Sequence, residues 1–418
     1  MKKSFLGILV GFLFIGTVPI DVVAASEDDV SFLIGADDQG KVKELQTIIP
    51  NKNVEFVPEV GLVTIKSGNN SDEKKIHKIF PGVLTGNIAN VKTEDSMSSD
   101  NQVNSLLGSR YEKFNWAYKR VLSDAPENRN FGKESKIAIV DSGIDLTHPE
   151  LINKVVRQTN YTDDDDSVMD GYGHGTLVAG VIDTLAPKAS IYSYKVMNRE
   201  GGESTDIIKA IIDAVNDGVD VVNISLGTIK KTDSQDREVT QQAFERTIEY
   251  AAKNKIFIVA SAGNENRNLD DQSQSIHFPG GMKGTITVAA TQKNGNKASY
   301  SNYGDGVTIA APAGDFGSRY LSEGQMDARE MMVTYYPTQY PTQLGELAGF
   351  SRGYTLSLGT SLAAPQVTSA LASILSNEKS AGISKESRYN LAMQKLYENS
   401  AKFENGKQIG FGEVRIKE

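Results

Sequence analysis

The stretch Lys136-Ile137-Ala138-Ile139-Val140-Asp141-Ser142-Gly143-Ile144-Asp145 decides the fold. Ile137 to Val140 is apolar without interruption, so neither face of the segment is spared for water. A strand buried on both faces belongs inside a parallel sheet. Asp141-Ser142-Gly143 then breaks it with three turn-forming residues. Comparable short runs recur at 190–196, 219–225, 256–262, 285–290 and 307–311. Between and after them lie helical patterns at 175–182, 205–216, 239–253, 361–375 and 385–397. Ile207, Ile208, Ile211, Ile212 and Val215 show the spacing most clearly. Strands alternating with helices predict an α/β fold, a mostly parallel sheet with helices on both faces. In such sheets a site is built beyond the carboxyl ends of the strands.

Three motifs fall at such ends. The first is Asp141-Ser142-Gly143. The second is Gly173-His174-Gly175-Thr176-Leu177-Val178-Ala179-Gly180. The third is Gly359-Thr360-Ser361-Leu362-Ala363-Ala364-Pro365. Each alone has an ordinary reading: a strand-end aspartate, a helix-start histidine, an N-capping serine. Together they supply what acyl transfer needs. A serine hydroxyl attacks only when a base takes its proton. A histidine takes and returns that proton. A buried aspartate fixes the imidazole tautomer and stabilises the imidazolium. The glycines beside His174 and Ser361 allow close approach of a peptide backbone.

Composition narrows the alternatives. The 418 residues include zero Cys, which excludes a disulfide scaffold, a thiol nucleophile, thiolate metal sites and a lipidated cysteine. There are four His and no H-E-x-x-H, so the zincin reading fails. Lys+Arg number 44 against 53 Asp+Glu, a formal charge of −9 with no basic cluster, which argues against a nucleic-acid partner.

In order and content the three motifs resemble those of the subtilisin-family (subtilase) serine proteases, over about residues 111–418. The resemblance implies a secreted serine endopeptidase with a subtilisin-like sheet. It makes Asp141 the orienting acid, His174 the base and Ser361 the nucleophile. It implies that Asn264, in Ala262-Gly263-Asn264, donates to the oxyanion together with the Ser361 backbone N–H. It gives Ser225-Leu226-Gly227 and Ala262-Gly263 to the substrate backbone and to the pocket before the scissile bond. Two features depart from the family pattern. Leu362 stands where the family has an oxidisable Met. A long stretch separates Asp315 from Gly353, and long loops beside active sites are usually functional. That stretch and the short C-terminal tail resemble the lantibiotic leader peptidases of the epidermin-processing type, which cut a leader peptide, generally after arginine.

An arginine pocket needs acid. The candidates are Asp270, Asp271 and the four aspartates 163–166; the four-Asp run reads first as a solvated loop, and a third reading makes it calcium ligands. Glu150 matches a calcium-ligand position of the family, so a structural calcium is expected there, with no cofactor for catalysis. Residues 1–24 read as a secretory signal peptide: Lys2-Lys3, an apolar run, then small residues at Val22-Val23-Ala24. No later segment is long and apolar enough to span a bilayer, and no anchor or sorting signal follows, so a freely released, extracellular protein is expected. Residues 25–110 form a small α+β unit with a polar linker, which the resemblance makes a propeptide and the chain's own partner. The catalytic domain then runs 111–418. The expected substrate is a lantibiotic precursor. The alternatives are a general degradative subtilase and, in another class, an inactive binding module.

Overall fold

The computed structural model describes residues 29–49, 54–66, 68, 70–86, 90–91, 106–123, 131–162, 167–199, 201–231, 235–273, 275–402 and 409–417. The signal segment, most of the polar linker and the aspartates 163–166 lie outside these residues.

Seven strands form the central sheet. Their order is Ile309–Pro312, Ile286–Thr291, Phe257–Ser261, Val221–Ile224, Lys136–Asp141, Ser190–Lys195, Val155–Asn160. Every pairing in it is parallel. Side chains alternate between two cores. Ile137, Ile139, Val221 and Val259 point into one, with Leu177 and Val178 of the helix His174–Leu185 and Val367 and Leu371 of the helix Thr360–Ser380. Ala138, Val140, Val222 and Ile258 point into the other, with Ile207 and Ile211 of Ser204–Asn216 and Phe244 of Gln235–Lys253. Burial on both faces accounts for the unbroken apolar runs in the sequence. The chain has the subtilisin-like α/β fold, with a small strand-and-helix region before it.

That region has a four-stranded antiparallel sheet, ordered Val54–Val57, Leu62–Ile65, Val30–Leu33, Thr85–Gly86. Helices Val42–Ile48 and Asn70–Ile79 pack on it around Phe32, Leu45, Val63 and Ile76. Val57, Val60 and Leu62 belong instead to the core containing Ile207 and Phe244, so the region is seated on the helices Ser204–Asn216 and Gln235–Lys253. Lys209 Nζ meets Glu55 Oε2 at 2.5 Å, and Lys66 pairs with Glu203. Arg246 Nη1 donates to the carbonyls of Ile34 and Val60 at 2.8 and 2.9 Å. Beyond it, Asn90–Val91 pairs antiparallel with Gly201–Glu203 of the large domain.

The stretch 315–353 is more structured than a long loop. Strand Met332–Tyr335 pairs antiparallel with Tyr354–Ser357, and a short helix, Gln343–Ala348, lies between them. Both strand segments are buried, and Met332–Tyr335 packs on the helix His174–Leu185. Among the described residues no helix is long and apolar enough to cross a membrane.

Candidate active site

Asp141 is the last residue of its strand and is buried. His174 opens its helix, and its Nδ1 lies 2.8 and 3.0 Å from the two Asp141 oxygens. The Ser142 backbone N–H also donates to Asp141 Oδ1, at 2.8 Å. A carboxylate on Nδ1 selects the tautomer whose Nε2 accepts a proton. Gly173 has φ +106°, and a Cβ there would lie 2.3 Å from the Tyr336 ring. Only glycine fits that turn.

A second acid lies beneath this pair. Asp170 Oδ1 accepts from Ser142 Oγ at 2.8 Å, Gly173 N at 2.6 Å and Tyr172 N at 3.2 Å. Its Oδ2 accepts from Thr176 N at 2.8 Å and Thr176 Oγ1 at 2.6 Å. Ser142 Oγ in turn accepts from Gly175 N at 2.9 Å. Asp170 therefore ties the loop after Asp141 to the turn that carries His174. Complete burial pushes its carboxyl up to about 6, against the downward pull of those hydrogen bonds. No motif pointed to Asp170; its role comes from the contacts.

Ser361 is the second residue of its helix. Its hydroxyl donates to Ser225 O at 3.1 Å, and Ser225 Oγ donates to Ser361 O at 2.8 Å. Asn264 Oδ1 accepts from both the N–H and the hydroxyl of Thr360, at 2.9 and 2.8 Å. With its oxygen held there, Asn264 turns its donor nitrogen toward the Gly359 side of the nucleophile turn, 3.5 Å from where a Gly359 Cβ would stand. Asp141 thus ends, and Ser225 and Asn264 follow, three adjacent strands, and Ser361 is hydrogen-bonded to Ser225 just beyond the middle one.

Leu226 is buried and Gly227 half-exposed, while Ala262 and Gly263 are buried. The ring of His277 lies between these two segments: its Nε2 would meet a Cβ on Gly227 at 2.3 Å and one on Gly263 at 3.2 Å. Glu265 Oε2 lies 2.7 Å from a Cβ on Gly263 and accepts from Asn302 Nδ2 at 2.6 Å. No motif marks either residue, although Glu265 immediately follows Asn264. Asp270 is engaged elsewhere, accepting from the backbone of Asp305 and Gly306 at 2.8 and 3.0 Å. Asp271 is exposed and accepts from Ser273 N at 3.1 Å. Glu150 is half-buried, and its N–H points at His148 Nδ1, 3.3 Å away. Among the described residues no three His, Asp or Glu side chains form a group suited to a metal, so Glu150 has no carboxylate set around it there.

The subtilase family profile, Peptidase S8, matches residues 132–413. Thermitase of Thermoactinomyces vulgaris is 34% identical over 200 residues, 45% of this chain and 66% of the relative. Subtilisin BL of Lederbergia lenta is 32% identical over 216 residues, 49% of this chain and 74% of the relative. Among solved structures, a lanthipeptide protease superposes with a TM-score of 0.69 at 31% identity, covering 76% of this chain and 98% of that one. An epidermin leader peptide processing serine protease from Staphylococcus aureus shares the fold with a TM-score of 0.73 at 24% identity, over 93% and 96% of the two chains. On the profile match, which takes in the segments carrying Asp141, His174, Asn264 and Ser361, the chain belongs to the subtilase family of serine endopeptidases.

Proposed function

We propose that this subtilase removes the leader from a lantibiotic precursor peptide, cutting after arginine, outside the cell. The similarity to a lanthipeptide protease along 98% of that chain carries the reading. Ser361 Oγ attacks the scissile carbonyl as His174 Nε2 takes its proton, forming the C–O bond. The oxyanion receives hydrogen bonds from Asn264 Nδ2 and the Ser361 backbone N–H. Asp141 steadies the imidazolium. Collapse breaks the C–N bond, His174 returns the proton to the leaving amine, and water releases the acyl group by the same steps.

The acid for an arginine side chain is assigned to Glu265, because its carboxylate borders Gly263 while Asp270 is engaged with the 305–306 turn. Cleavage of matched Arg and Phe peptides tests this. Glu265→Gln should lower the Arg-to-Phe ratio of kcat/KM about tenfold or more, and Asp270→Ala and Asp271→Ala should leave it near wild type. An unchanged ratio in Glu265→Gln, with a fall in Asp271→Ala, would move the assignment to Asp271.

The described part of the N-terminal unit is proposed to be a propeptide, released by a cut between about residues 92 and 119. Its separate core and the strand pairing of Asn90–Val91 support this. A structural calcium at Glu150 is tested by the melting temperature of the Ser361→Ala protein with and without chelator. A general degradative role is the second reading, favoured by the likeness to thermitase and subtilisin BL. Mass spectrometry of cuts in a precursor-peptide library separates the two: broad cutting after apolar residues would overturn the leader-peptidase reading. Fluorophosphonate labelling at Ser361 would exclude the inactive binding module, and its absence would favour it.

A further inference from the structure

We propose that the buried hairpin Met332–Tyr335 with Tyr354–Ser357 is a positioning element for the Asp141–His174 pair, acting on His174 through Tyr336; this rests on the catalytic assignment above. The hairpin grips the histidine helix at three levels. Tyr336 Oη donates to Tyr172 O at 3.0 Å, and its ring fills the space beside Gly173, immediately before His174. Thr334 Oγ1 donates to Leu177 O at 2.7 Å, one turn further along. Tyr335 Oη donates to Asp183 Oδ2 at 3.0 Å near the helix end.

The connection between the two strands, with Tyr335 at its start, also holds the loop after Asp141. Asp145 Oδ2 accepts from Thr338 N and Thr338 Oγ1 at 2.8 and 2.9 Å. His148 stacks on Tyr335 with ring centroids 4.5 Å apart and reaches Gly353 O through Nε2 at 2.9 Å. The segments carrying both halves of the acid–base pair are thus fastened to one hairpin and its connection. The glycines record how close it comes. A Cβ on Gly180 would lie 2.7 Å from Tyr335 N, so the helix and ribbon have no slack between them. A shift of the ribbon moves His174 against Ser361, and a displacement of about 1 Å can cost about 10²-fold in rate.

The test is steady-state kinetics of the mature enzyme on a short chromogenic peptide, with Tyr336→Phe, Tyr336→Ala and Thr338→Val. Tyr336→Ala should lower kcat at least about tenfold with KM within about twofold. Tyr336→Phe keeps the ring against Gly173 and should recover most of that loss, and Thr338→Val should lower kcat less than Tyr336→Ala does. Fluorophosphonate labelling of Ser361 should slow in parallel with kcat. Melting of each variant in the Ser361→Ala background separates folding from positioning. A lowered melting temperature with kcat unchanged would reduce the hairpin to packing. A raised KM with kcat unchanged would make it a substrate wall. Both overturn the proposal. Absence of labelling in the wild-type enzyme would instead remove the catalytic assignment itself.

Discussion

At the scale of single residues, the site depends on which end of each polar group is already taken. Asn264 gives its oxygen to Thr360, which orients its amide with the nitrogen on the Gly359 side, where the proposed mechanism uses it as a donor to the oxyanion. Asn264→Ala should reduce kcat about 10²–10³-fold, the range known for losing such a donor in this family, with KM little changed in peptide hydrolysis. Asp170 behaves differently because burial raises its carboxyl to about 6. Between about 4 and 6 the folded chain therefore holds this proton more tightly than the unfolded chain does. Its contribution favours folding below that window and is lost as pH rises through it. Activity runs the other way, since a protonated Asp170 has one acceptor oxygen fewer for Ser142, Gly173 and Thr176. The acid limb of log kcat against pH should then be steeper than one protonation allows, and Asp170→Asn should return it to a slope of one at a lower plateau. A slope of one in the wild-type enzyme would remove Asp170 from the acid limb. Asp141, His174 and Ser361 stood out in the sequence because glycines and fixed neighbours mark them. Asp170, Glu265 and His277 carry no such punctuation, and their significance comes from tertiary neighbours.

At the scale of elements, the legible parts were those buried on both faces. The strands Lys136–Asp141 and Val221–Ile224 read directly as apolar runs. The edge strand Val155–Asn160, Val-Val-Arg-Gln-Thr-Asn, did not, because its residues are half-buried or exposed and keep no apolar periodicity. The hairpin was hidden for another reason. Met332-Val-Thr-Tyr335 and Tyr354-Thr-Leu-Ser357 are short, and the 18 residues between them obscure the pairing. Its closeness to the histidine helix gives a test. Gly180→Ala would place a methyl 2.7–2.8 Å from Tyr335 N and Thr334 Oγ1. Overpacking of this kind should destabilise by about 1–3 kcal/mol, measurable by denaturant unfolding of the Ser361→Ala form, in which self-digestion is absent. An unchanged midpoint would mean that ribbon and helix separate easily.

At the scale of the whole molecule, the N-terminal unit keeps its own core, sends Val57, Val60 and Leu62 into a core of the large domain, and meets that domain through the pairs Lys66–Glu203 and Lys209–Glu55. Lys66 is paired with Glu203, which draws its ammonium above its ordinary range despite burial. A unit held by partly exposed pairs and a modest apolar face is suited to later release. N-terminal sequencing of secreted wild-type protein beside Ser361→Ala should show the unit gone from the first and present in the second. Retention in both would make it a permanent domain.

The strand that Asn90–Val91 adds to Gly201–Glu203 has a kinetic consequence. It belongs to the same chain as the edge it covers, so its pairing there is intramolecular and does not depend on the dilution of the protein. On the propeptide reading proposed above, latency is independent of protein concentration, and its loss should begin as a first-order process whose half-life does not change on dilution.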